Sequence, residues 1–107
     1  MDSGLYISRF RTPLDNACGV IVVDGDLVLG GDSAMYYTGE ISGDDHAIKV
    51  RIRVRQHDHS RQSVFGEVED FILTLTGRKK GDDYVFEGRA DRASSLRFEA
   101  VLTRAPD

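Results

Sequence analysis

The sequence holds a single cysteine, Cys18, and only three histidines in 107 residues. One thiol cannot close an internal disulfide, which points to a reducing compartment, the cytoplasm. With no triad context around it, Cys18 reads as a small packing residue rather than a nucleophile. No run of about 18 apolar residues is present, so no transmembrane helix is expected. The opening MDSGLYISRF lacks a basic segment followed by an apolar one, so no signal peptide is expected either. A net charge of −4 argues against nucleic acid as the main partner, because phosphate binding needs a concentrated basic face. Helical periodicity is also missing: no helix-period stretch runs beyond two turns.

What remains is a chain of one domain's length, residues 1–107, with enough apolar residues to bury one core. Alternation, the period-2 signature of half-buried strands, runs through most of it. In HAIKVRIRVRQ, His46, Ile48, Val50, Ile52 and Val54 share one face. Ala47, Lys49, Arg51, Arg53 and Arg55 share the other. DFILTLTG sets Phe71, Leu73 and Leu75 against Asp70, Thr74 and Thr76. DYVFEGRA sets Tyr84 and Phe86 against Val85 and Glu87, and SLRFEAVLTR sets Leu96, Phe98, Ala100 and Leu102 against Arg97, Glu99, Val101 and Thr103. In GLYISRFR the inner face is ambiguous: Tyr6, Ser8 and Phe10 compete with Leu5 and Ile7.

Turn signals at Asp24-Gly25, Ser42-Gly43-Asp44-Asp45, Gly81-Asp82-Asp83 and Asp91-Arg92 separate the runs. The pattern predicts eight strands, at about 4–11, 18–23, 26–30, 34–42, 46–55, 68–77, 83–90 and 95–104. Short connections favour antiparallel neighbours. An open sheet of this pattern would leave an apolar face wet and two edges unpaired, so an all-β, up-and-down antiparallel barrel is expected. A two-sheet sandwich is the alternative, and only residues 56–67 are long enough for a crossover.

Few residues point to chemistry. Gly30-Gly31-Asp32 is followed by strand-like SAMYYTGEI rather than a helix, so it is no phosphate loop. It reads as a bend, with Asp32 capping backbone N–H groups. His57-Asp58-His59 has metal-ligand spacing but no further ligand cluster, so no metal or cofactor is expected. Lys49, Arg51, Arg53 and Arg55 form a basic stripe that reads as a solvated outer face paired with acids such as Glu40. Tyr6, Phe10, Tyr37, Phe71, Phe86 and Phe98 either fill the barrel or line an apolar cavity, because an eight-strand barrel sits between those cases. A triad, a metal set and a spaced carboxylate pair are all missing, so an enzyme is not expected.

Several short motifs resemble the GrlR-like family, small negative regulators of bacterial type III secretion. They are Gly4-Leu5-Tyr6 with Phe10, Cys18-Gly19, Gly30-Gly31-Asp32, Tyr37-Thr38-Gly39, Ser63 to Gly66 and the closing LRFEAVLTR. The similarity spans about 4–104. It implies a lipocalin-like eight-strand barrel, a homodimer without catalytic activity, and sequestration of a protein partner such as a transcriptional activator. Family members use an acidic Glu-Asp-Glu-Asp surface motif, and the corresponding Gly43-Asp44-Asp45-His46 keeps acids at the two central positions only. Asp44 and Asp45 are therefore the expected partner contact. The alternative function is a carrier or sensor with an apolar small molecule inside the barrel.

Overall fold

A computed structural model describes residues 1–61, 63–66 and 68–106. The alternating segments form β1 (Gly4–Arg11), β2 (Asn16–Asp24), β3 (Leu27–Gly31), β4 (Met35–Asp44), β5 (Ala47–Gln56), β6 (Asp70–Lys80), β7 (Asp83–Ala90) and β8 (Ala93–Arg104). Each strand pairs antiparallel with its sequence neighbour, and β8 returns to β1. The result is a closed eight-strand barrel, not a sandwich. Closure leaves no unpaired sheet edge, which is the physical reason the alternating pattern favours it. No helix among the described residues is long and apolar enough to cross a membrane.

The pleat sends one face of every strand inward. Val54 stands opposite Phe71, Ile52 opposite Leu73 and Val50 opposite Leu75 across β5 and β6. All six are buried. The ambiguity in β1 resolves with Tyr6, Ser8 and Phe10 inside. Leu5 remains outside and exposed, and Ile7 is only half-buried. His46 does not continue the inner face of β5, because the strand begins at Ala47 and His46 lies in the turn.

Two of the tight turns use glycine where backbone geometry requires it. Gly25 and Gly81 have φ of 63° and 62°, the left-handed region that side chains with a Cβ disfavour. Gly30 is needed for a different reason, close approach. A Cβ there would lie 2.2 Å from the Val20 carbonyl oxygen and 3.1 Å from the Tyr37 ring. Gly30→Val is therefore expected to destabilise the barrel by more than about 2 kcal/mol, read as a lower denaturation midpoint at an unchanged slope.

The described residues of the long connection after β5 form a strap across one end of the barrel. Its apolar island, Val64 and Phe65, turns inward and is buried. The Thr12 hydroxyl donates to the Val64 carbonyl at 2.5 Å and so ties the strap to the β1–β2 loop. The opposite end is closed by Tyr6 and Tyr84, whose rings meet edge to face at 5.8 Å. There the Tyr6 hydroxyl donates to the Asp2 carbonyl at 2.6 Å.

Candidate functional site

The barrel interior is not filled. Inward side chains leave a cavity of about 520 Å³, within the range of small-molecule sites. Its wall is mainly aliphatic and aromatic: Ile21, Val28 and Val50 stand on one side, Leu73, Ala100 and Leu102 on another. The polar lining residues Asp15, Asn16, Asp32, Ser33, Arg61 and Ser63 gather at the strap end.

Of the six aromatic residues singled out in the sequence, Phe10, Tyr37, Phe71, Phe86 and Phe98 border this cavity. Tyr6 is buried but packs at the closed end against Tyr84 instead. Beneath the strap, Phe65 stacks on Phe98 at 5.6 Å and meets Phe71 edge to face at 4.9 Å. Phe10 lies 5.7 Å from Phe98. These rings form the roof of the cavity. Sequence reasoning missed Phe65, because its strand-poor, polar surroundings gave no period to assign it a face.

Asp32 and Tyr37 form a hydrogen-bonded pair in the cavity wall. Asp32 Oδ1 accepts from the backbone N–H groups of Ala34 and Met35, each at 2.8 Å, which is the capping role read from the sequence. Asp32 Oδ2 accepts from the Tyr37 hydroxyl. Burial, and then the hydrogen bond to Asp32, push the Tyr37 phenol far above the ordinary tyrosine range. Burial raises Tyr6 and Tyr84 in the same direction.

A raised folded-state pKa gives stability that is complete below the unfolded value, about pH 10, and declines as pH rises past it. Phenolate absorbance near 295 nm at about pH 10 is thus expected to be clearly lower for the folded protein than for the urea-unfolded chain. Tyr37→Phe should reduce the alkaline loss of stability.

The other candidates are accounted for structurally. Asp44 Oδ1 accepts from the backbone of His46 at 2.9 Å and of Ala47 at 3.1 Å, closing its own turn. Asp45 Oδ1 lies 3.0 Å from the Met1 amine, and that hydrogen bond holds its carboxyl below the usual range. His57 Nε2 contacts the Asp32 carbonyl at 2.8 Å, whereas His59 stands near Glu69, so the two do not converge. Among the described residues no group of three or more metal-ligating side chains comes together.

In the basic stripe, Arg53 binds Asp70 through two hydrogen bonds of 3.0 and 2.7 Å, and Arg55 lies over the Tyr36 ring at 5.0 Å. Glu40 stands opposite Arg51 in the register. Among the described residues, the acid that closes an ion pair with the stripe is Asp70, on the other neighbouring strand. No family model and no curated protein matches this chain.

Proposed function

We propose that the barrel takes up a small, largely apolar molecule in its interior and acts as a carrier or sensor without catalysing a reaction. The observation that carries this reading is the cavity of about 520 Å³ inside a closed barrel. Tightly packed interiors rarely leave voids much larger than a water molecule, so a space of this size in a small domain is a costly feature with an evident use. Titration with the neutral fluorophore N-phenyl-1-naphthylamine tests it. Saturable enhancement at about one equivalent per chain, with micromolar affinity, is the expected result. No enhancement would remove the reading.

A second reading has separate support on the outside. Val22 lies directly between Leu5 and Leu29 across β1, β2 and β3, and Val20 and Leu27 extend the row. All five are exposed. Such a patch fits protein contact. A second copy presenting the same surface would cover it symmetrically, giving a homodimer.

On this reading the protein is a cytoplasmic, lipocalin-like regulator of the GrlR-like kind that sequesters a protein such as a transcriptional activator. The exposed free Cys18 agrees with a reducing compartment. Asp44 and Asp45 lie at a turn tip but are already engaged within the chain, so the apolar face is the stronger contact surface. Sedimentation at tens of micromolar should show a dimer that Val22→Lys with Leu29→Lys converts to a monomer. A monomeric parent protein would remove the homodimer.

A further inference from the structure

A shallow open groove crosses the outside of the barrel over β5 to β8. Its cationic edge comes from two neighbouring strands: Lys49 on β5, with Arg78 and Lys80 on β6. All three are exposed. Thr76, also in the groove, is the cross-strand partner of Lys49. Lys49 and Arg78 are therefore diagonal neighbours on one sheet face, about 7–8 Å apart at the backbone. Arg78 and Lys80 alternate along β6, about 7 Å apart.

These cations are not neutralised from within the chain. The two acids of the groove, Glu87 and Glu99, are both held by Arg97, and Glu99 also by Arg11. Asp83 stands opposite Lys80 in the register without bridging to it. Among the described residues, no acid closes an ion pair with Lys49, Arg78 or Lys80. Like charges gathered on one face raise the local potential and attract an anion. Beside Arg78, Val85 and Val101 stand opposite each other across β7 and β8 and add an apolar floor.

The surroundings choose the form of the anion. The turns that adjoin the cations carry Asp44, Asp45, Asp82 and Asp83, and the whole chain has a net charge of −4. A flat anionic membrane or a nucleic-acid helix would meet those acids together with the cations. A short segment lying within the groove meets the cations alone. In an extended peptide, alternate side chains share one face at about 7 Å intervals, which matches the spacing of Arg78 and Lys80.

We propose that this groove binds an acidic peptide segment in extended form, with carboxylates at alternate positions on Lys49, Arg78 and Lys80 and an apolar residue over Val85 and Val101. This binding is independent of uptake by the interior cavity and uses a different face from the apolar row Leu5, Val22 and Leu29.

The test is fluorescence anisotropy of the labelled peptide Glu-Thr-Glu-Val-Glu-Thr with the full chain. Saturable binding in the range of about 10–100 μM at low salt is expected, weakening at least about fivefold in 0.5 M salt. Lys49→Glu with Arg78→Glu should weaken it at least about tenfold while the strand signature in circular dichroism persists, because both side chains are exposed. Arg61→Glu with Arg92→Glu changes the net charge equally at the strap end and should bind within about twofold of the parent. Absence of saturable binding by the parent, or equal loss in the two double variants, would overturn the proposal. So would tighter binding of a uridine oligomer or of phosphatidylserine vesicles than of the peptide. None of these results bears on the cavity, which the naphthylamine titration tests separately.

Discussion

Ala100→Phe is expected to abolish or weaken uptake of a neutral apolar probe by at least about tenfold while leaving the barrel folded. Ala100 is buried on β8, borders the cavity, and stands opposite Phe10 on one side and Phe86 on the other. A phenyl group there has empty space to enter, unlike an enlargement in a filled core. Overpacking normally costs about 1–3 kcal/mol, and the void should keep this variant at or below the lower end. The strand signature in circular dichroism should persist and the melting temperature should change little. An unchanged affinity would place the probe outside the barrel.

The second large effect is on stability. Phe98→Ala is expected to cost about 3–4 kcal/mol, out of a total that for a domain of this size is typically about 5–15. Phe98 sits at the centre of the aromatic roof, within 5.6 Å of Phe65 and 5.7 Å of Phe10. Its removal takes away both strand packing and the surface on which the strap rests. A fully enclosed phenylalanine can cost more, but one side of this ring already faces the void and has fewer neighbours to lose. The melting temperature should fall by roughly 15 °C or more. Limited proteolysis should shift to the strap, because Phe65 loses its stacking partner. A fall of only a few degrees would mean that the roof contributes little.

Both effects depend on features that differ in how far the sequence reveals them. The strands were legible because an inward side chain must be apolar and its neighbours need not be. In β5 that rule is obeyed from Ile48 to Val54, with Lys49, Arg51 and Arg53 between. In β1 it fails to decide, since Leu5 and Ile7 on the outside are as apolar as Tyr6 and Phe10 within. The structural reason is the exposed row Leu5, Val22 and Leu29, an outer face that does not follow the solvent rule.

The turn role of Asp44 and the capping role of Asp32 were legible from local chemistry. The contact between Asp32 and Tyr37 was not separable from that cap, because it depends on how Gly30 lets the Tyr37 ring cross β3. A cavity is harder still to read. It is the difference between the volume a closed eight-strand barrel encloses and the volume its inward side chains occupy, and neither is a property of a short motif. The strap likewise inserts Phe65 through a contact far away in sequence, with Phe98.

A crystal structure of the protein grown with N-phenyl-1-naphthylamine is the most direct test of the account. The account predicts probe density inside the barrel, between Tyr37 and Phe98 and beneath Phe65, with the wall otherwise unchanged. An interior filled by side chains, with no void above about 300 Å³ and the probe absent or bound outside, would contradict it.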